Sequence, residues 1–338
     1  MTRFENPPAS DQSIIDAIVD FQINLMKQSD PTVRGQHPKI NGCLRGEFRV
    51  LDNLEPDIAL GVFAEPRTYP AWIRLSNAFG TDDRQPDFHG LAIKLMGVPG
   101  EKIGNEQQTQ DFLLLDAPYF FTGTVEALLK FMQQKVGLMV QGKTPQEQLQ
   151  ALSVDFPNEV ERFVKTVRPA PAPPTASRYW SCAPSLLGDQ AVKYMLEPQG
   201  FDSDASGKPE TSVERDSQNY ARETLVASLA SDSKPTVLNF SIQKQENQDS
   251  EPVEDASVEW KTPFTRVAEL TIAPQKFDTS EQDQFGQNLS FNPWHSLPEH
   301  QPIGGLNRAR KIAYVKSSEL RHATDGVPLF EPRPNDKP

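Results

Sequence analysis

Between residues 11 and 28 the chain places Ile14, Ile18, Phe21 and Leu25 three or four positions apart, with polar residues between them. That is the pattern of a helix with one apolar face. Runs dense in β-branched, aromatic and aliphatic residues follow at 43–51, 59–64, 71–76, 89–96 and 110–115 and predict strands. From Thr124, a capping residue type, TVEALLKFMQQKVGLM returns to helical spacing, and two more helical stretches fill 145–166. The proline-rich PAPAPPTAS that follows favours an extended connector across the surface. Strand patterns resume at 190–197, 236–243 and 266–273, while the polar, acidic stretches 202–218 and 245–257 read as mobile loops. A last helical segment spans Gly304 to Arg321.

Eight strands in groups of five and three, separated by a helical insertion, suit an α+β chain built on a closed antiparallel β-barrel with appended and inserted helices. With no internal repeat and no domain-sized linker, residues 1–338 are expected to form a single domain. Its N-terminal helical arm, residues 1–30, would pack on the barrel or on a partner copy in a homo-oligomer.

Composition narrows the function classes. A length of 338 residues with 37% hydrophobic positions supports a substantial core. The balance of 34 basic against 46 acidic residues, a net charge of −12, argues against a nucleic-acid partner. Cys43 and Cys182 lie far apart, and MTRFENPPASDQ has no apolar signal-peptide core, so a cytoplasmic protein with reduced thiols is the expectation. No apolar run is long enough for a transmembrane helix.

Candidate chemistry begins in the last helix. Arg310, Tyr314 and Arg321 are four and then seven residues apart, which at about 3.6 residues per turn brings all three to one face. A tyrosine titrates near about pH 10 and binds a metal as phenolate only where something stabilises the anion. Ferric iron does so from one side and an arginine one turn away from the other, the requirement of a tyrosine-ligated haem. The plainer reading is a surface helix with solvated arginines and Tyr314 packed on the core.

Other chemistries lack their motifs. The five histidines, His37, His89, His295, His300 and His322, form no HExxH pair, and no cysteine pair has zinc spacing. There is no phosphate-cradling glycine loop and no GxSxG elbow. His295 and His300, beside Trp294 in a proline-bounded loop, read as surface or structural residues.

Four further segments precede that helix in a telling order: VRGQHPKINGCLRGEFRVLD, YPAWIRLSNAFG, PDFHGLAIKLMG and TQDFLLLDAPYFF. Together with GGLNRARKIAYVKSSELR they resemble the catalase-like haem superfamily, over roughly residues 30–125 and 290–322 and in the same order. The NPWHSLPEH loop is similar to that of a small, divergent bacterial branch of this superfamily, not of full-length catalases. The first segment fits with one surplus residue before Phe48.

The resemblance implies a haem b cofactor, with Tyr314 as the iron ligand on a proximal helix over 300–322, backed by Arg310. It also implies Arg34, Arg74 and Arg321 as propionate ligands, His37 as the distal histidine, Ser76 as the hydroxyl that orients it, and Lys39 as the lysine two residues on. Phe120 and Phe121 would touch haem or substrate, although an apolar pair after a strand is also a common core element. GGLNRA fits as well a leucine–asparagine–arginine turn that lies well before the ligand tyrosine in large catalases. In that register Tyr314 is not a ligand.

Departures matter equally. Leu115 stands where catalases carry the distal asparagine that holds peroxide, Asp116 where they carry a second asparagine, and His89 where arginine is usual. Loss of the amide favours a bulkier, more apolar substrate than hydrogen peroxide. The implied function is a haem-dependent peroxidase or catalase-related oxidoreductase acting on a small-molecule organic or fatty-acid hydroperoxide, with allene-oxide-synthase or hydroperoxide-lyase chemistry included. The alternatives are a weak catalase and a non-catalytic haem- or lipid-binding barrel.

Overall fold

The computed structural model describes residues 2–29, 34–104, 108–201 and 215–336. Four strands, β1 (Lys39–Val50), β2 (Thr68–Asn77), β3 (His89–Met96) and β4 (Thr109–Leu115), form an antiparallel meander. The second half of the chain supplies β5 (Tyr179–Trp180), β6 (Ser185–Leu187), β7 (Gln190–Pro198), β8 (Thr236–Lys244) and β9 (Phe264–Ile272). β9 pairs with β1, and two-residue β5 bridges β4 to β7 through Leu115 opposite Trp180 and Trp180 opposite Met195. Eight strands thereby close an antiparallel barrel, with β6 as a short outer partner of β7.

Within the barrel Phe48, Phe112, Tyr194 and Phe240 meet edge-on or tilted, with ring centroids 4.9 to 5.5 Å apart. Burying each such side chain contributes about 1.5–3 kcal/mol. The alternation is legible in β3, where Leu91, Ile93 and Leu95 belong to the barrel core. The opposite face of β2–β4 is covered as well, so Arg74, Ser76 and Lys94 are buried although they point away from that core. In β1, Asn41 has no partner residue across the ladder, because the register shifts between Ile40 and Gly42. That bulge inserts one residue into β1 between His37 and Phe48.

Two strand assignments change. Residues 59–64 are not a strand: Gly61, at φ +57°, opens a single 3₁₀ turn, Gly61–Phe63, that puts Phe63 against Phe112, Phe240 and His300 at the core. The apolar run reflects burial, which periodicity cannot distinguish from strand. β5 and β6 are too short to carry a periodic signal, yet β5 closes the barrel.

Among the described residues seven α-helices surround the barrel. α1 (Asp11–Lys27) packs through Ile15 and Val19 on Val125 of α2 (Val125–Val140) and on Ala309 and Ala313, so the N-terminal arm lies on its own chain. Thr124 caps α2 by accepting the Ala127 N–H, and α3 (Pro145–Asp155) opens with a reciprocal Thr144–Glu147 capping box. α4 (Pro157–Thr166) completes the insertion, and α5 (Tyr220–Ser228) and α6 (Ser280–Asn288) pack on β1.

α7 (Gly305–Asp325) starts five residues later than the expected 300 and runs three residues past 322. Gly304 is required at its start, since φ is +88° and an added Cβ would lie 2.5 Å from the Val253 carbonyl oxygen. Glu5 and Glu254 accept the N–H groups of Gly304 and Gly305, placing carboxylates at the positive end of the helix dipole.

Residues 202–214 of the expected acidic loop lie outside the described residues. The second loop is anchored: Glu251 accepts the N–H groups of Glu246, Lys261 and Thr262, and Val253 is buried. Among the described residues no helix is long and apolar enough to cross a membrane.

Candidate functional site

β2–β4 present Arg74, Ser76, Gly90, Ala92, Leu113 and Leu115 to a cavity of about 380 Å³ that α1, α2 and α7 also line. Of the ten residues singled out through the resemblance, eight line it: Arg34, His37, Arg74, Ser76, Phe120, Arg310, Tyr314 and Arg321. Phe121 does not. Its ring is fully buried among Phe88, Phe131 and Phe163, 5.8, 5.1 and 5.4 Å away, so of the adjacent pair only Phe120 faces the cavity.

His37 sits in the loop before β1 with φ +57°, a conformation costly for a residue with a side chain and held here by several contacts. Its N–H donates to the Ala78 carbonyl at 3.2 Å and its own carbonyl accepts from Arg74 Nη2 at 3.0 Å. Ser76 Oγ lies 3.1 Å from Nδ1. The ring rests over Gly90, where a Cβ would come within 2.5 Å of Cε1 and 2.6 Å of Nδ1; no larger residue fits beneath it. Burial, reinforced by Arg74 and Arg310, lowers the His37 pKa to about 3, so the imidazole is neutral and available as a proton acceptor.

His89 and Asp116, whose roles the sequence left open, form one buried unit with each other. Asp116 accepts from the His89 backbone N–H and approaches His89 Nδ1, both at 2.8 Å, and Arg168 Nε lies 3.5 Å from it. They pin the start of β3 to the end of β4. Lys39 is spoken for by Asp83 at 2.6 Å and the Gln218 carbonyl at 2.7 Å.

Three guanidiniums share one end of the cavity with no carboxylate paired to them among the described residues. Arg34 donates to the carbonyls of Gly286, Gln287 and Leu289, and Arg321 donates to that of Gln287. The Nε atoms of Arg34 and Arg74 are buried without any partner. Burial first, and then mutual repulsion among Arg34, Arg74 and Arg321, lowers the Arg34 pKa well below its ordinary value; Arg74 falls to about 10, chiefly by burial. Such a cluster is electrostatically unfavourable by itself and complementary to a dianion.

Further along α7, Arg310 Nη2 lies 3.4 Å from the Tyr314 hydroxyl, as the i,i+4 spacing anticipates. The donor set therefore suits a haem: a phenol beside an arginine, an anion-binding cluster, and a neutral imidazole share one apolar cavity.

Several lining residues carried no sequence signal for a place in the site. Ile18, Phe21, Leu25 and Met26 of α1 form part of the wall, and Ser181 and Cys182 approach from beside β5. The apolar face of α1 was legible, but what it would cover was not. Cys43 and Cys182 are both buried free thiols, pushed up to about 12 by burial. His295 stands 3.3 Å from both Asp111 and Glu331 in a buried cluster with Lys94. His300 Nε2 accepts the Val62 N–H at 2.9 Å, so its Nδ1 carries the proton and donates to Tyr194 Oη at 3.0 Å.

No family model matches the chain, and no curated protein sequence matches it. Solved structures do. A bacterial catalase superposes with a TM-score of 0.62 at 14% identity, over 95% of this chain and 62% of that one. A fungal catalase gives 0.64 at 16%, over 95% and 65%, and catalase A from Saccharomyces cerevisiae gives 0.63 at 15%, over 100% and 72%. This chain thus spans less than two thirds of the length of the first two. At such identities the likeness speaks for architecture, and the chain has the catalase-like fold.

Proposed function

We propose that this chain binds a ferric haem b through Tyr314 and processes an organic or fatty-acid hydroperoxide. The observation that carries the reading is the single cavity in which Arg34, His37, Arg74, Ser76, Arg310, Tyr314 and Arg321 converge from segments almost 290 positions apart in the chain. When bound, the haem supplies the redox-active iron at which an O–O bond is cleaved.

Tyr314 would hold the iron as phenolate, and the Arg310 guanidinium stabilises that anion. Arg34, Arg74 and Arg321 would hold the propionates, which supplies the negative charge their cluster lacks. His37 then takes the proton from the hydroperoxide and returns it to the departing oxygen. In the tautomer whose Nδ1–H donates to Ser76 Oγ, 3.1 Å away, Nε2 is the free base. Neutrality across the physiological range keeps that base competent.

Substrate class follows from the apolar part of the cavity wall. Leu113, Leu115, Phe79, Phe120, Leu128 and Met132 line it, and the absence of an amide at 115 leaves no polar side chain there to orient a small symmetrical peroxide. An alkyl or acyl chain fits that surface by burial of apolar area. The same leucine favours the second reading, a haem- or lipid-binding barrel without turnover.

The test is a haem titration of wild type and Tyr314→Phe, followed by a hydroperoxide screen with His37→Ala as control. A ferric tyrosinate spectrum lost in Tyr314→Phe, with cumene or linoleate hydroperoxide consumption lost in His37→Ala, is expected. Stoichiometric haem unchanged by Tyr314→Phe would refute the ligand assignment; haem binding without turnover of any hydroperoxide would select the second reading.

A further inference from the structure

The proximal arginine needs an orienting partner, and the side chain that supplies it is an asparagine one turn earlier on the same helix. Asn307 is buried and makes a full set of contacts. Its Nδ2 donates to the Pro184 carbonyl at 2.8 Å and to the Ile303 carbonyl at 3.1 Å. Both acceptors are main-chain oxygens, so the amide has one orientation, with Oδ1 turned to Arg310. Arg310 Nη1 donates to that oxygen at 3.0 Å, leaving Nη2 toward Tyr314 Oη at 3.4 Å. The Asn307 carbonyl in turn accepts from Trp294 Nε1 at 2.8 Å, which fixes the backbone of this turn against the NPWHSLPEH loop.

We propose that Asn307 is a positioning residue: its amide, locked by two backbone carbonyls, aims the Arg310 guanidinium at the Tyr314 phenol. Deepening the haem reading above, it rests on that reading for its purpose but not for its geometry. The choice of a neutral partner has a physical consequence. A carboxylate at 307 would form a bidentate ion pair with Arg310 and screen its charge from a phenolate, whereas an amide holds the guanidinium in place and leaves its charge unspent. Arg310 forms no ion pair among the described residues, and it and Ser181 also border a small polar pocket reaching toward Asp111 and His300 on the far side.

Two variants with the same number and branching of side-chain heavy atoms separate positioning from mere support. Asn307→Leu cannot accept from Arg310, and Asn307→Asp accepts more strongly; both lose the two donated bonds to Pro184 and Ile303. In the haem-free full chain, ¹⁵N NMR of the Arg310 side chain reads its N–H exchange with solvent. The expected result is exchange faster by about tenfold in Asn307→Leu and unchanged or slower in Asn307→Asp. Equal acceleration in both, or no change in either, would overturn the proposal, since support alone treats the variants alike. In haem-loaded protein the phenolate-to-iron absorption band should move in opposite directions in the two variants. If wild type takes up no tyrosinate-ligated haem, the functional reading fails while the exchange measurement still decides the role of Asn307. Should Asn307→Leu not fold, Asn307→Ala, which also cannot accept from Arg310, takes its place in the same exchange and band measurements, with equal results in Asn307→Ala and Asn307→Asp refuting the proposal.

Discussion

Gly90→Ala probes the cradle beneath the distal imidazole with a single methyl group. Its backbone conformation is ordinary for a strand, so any effect comes from the added Cβ, which would sit 2.5 Å from His37 Cε1, 2.6 Å from Nδ1 and 3.0 Å from Ser76 Oγ. Carbon atoms rest at about 3.5–4.0 Å, so the ring must retreat by roughly 1 Å. The backbone of His37 cannot follow easily, being tied to Ala78 and Arg74. The movement therefore breaks the 3.1 Å Ser76–Nδ1 contact, worth about 1 kcal/mol, within a total overpacking cost of about 1–3 kcal/mol. A displacement of that size in a reacting group lowers rates by about 100-fold.

The assay pairs urea denaturation with hydroperoxide turnover by haem-loaded protein. Haem uptake should be retained, because Gly90 faces His37 and not the arginine cluster. Ser76→Ala serves as control: it removes the hydrogen bond without moving the ring and should lose less activity than Gly90→Ala. Turnover within a factor of about three of wild type in Gly90→Ala, at a stability loss below about 0.5 kcal/mol, would refute the tight stacking of His37 on this strand.

Three further outcomes follow. Burial lowers the His300 pKa to about 3, against about 6.5 unfolded, so its contribution is complete above pH 6.5 and lost as pH falls toward 3, by about 1.4 kcal/mol per unit. Urea midpoints measured from pH 7 to 4 should fall less steeply in His300→Gln, and identical slopes would contradict a neutral buried imidazole. Lys94→Met leaves Asp111 and Glu331, 2.8 and 2.7 Å from the ammonium, without their shared cation and should cost about 3–5 kcal/mol by chemical denaturation; a loss under about 1 kcal/mol would mean the cluster is wet. Gly137→Ala in α2 meets nothing within 4 Å and should stabilise by about 0.5–1 kcal/mol, read as a higher urea midpoint; destabilisation would argue that Gly137 is not in regular helix.

The sequence by itself determined what depends on neighbours within a few turns. Alternation in 89–96 and 236–243, helical spacing in 11–28 and the Thr124 cap specify elements because backbone geometry fixes which side chains share a face. The common face of Arg310, Tyr314 and Arg321 belongs to the same class. Ordered motifs also brought Arg34, His37, Arg74 and Ser76 into consideration, though not the distances between them.

Tertiary structure alone decided the rest. Trp180 closes the barrel from a strand two residues long, and Phe63 enters the core from a turn that reads as strand, since burial looks alike in both. Phe120 and Phe121 look equivalent in sequence, and only the aromatic cluster of α2 and α4 draws one away from the cavity. Asn307 reads as an ordinary helix residue until the carbonyls of Pro184 and Ile303 fix its amide. Each of these outcomes rests on contacts between distant parts of the chain, whose geometry exists only once the barrel has closed.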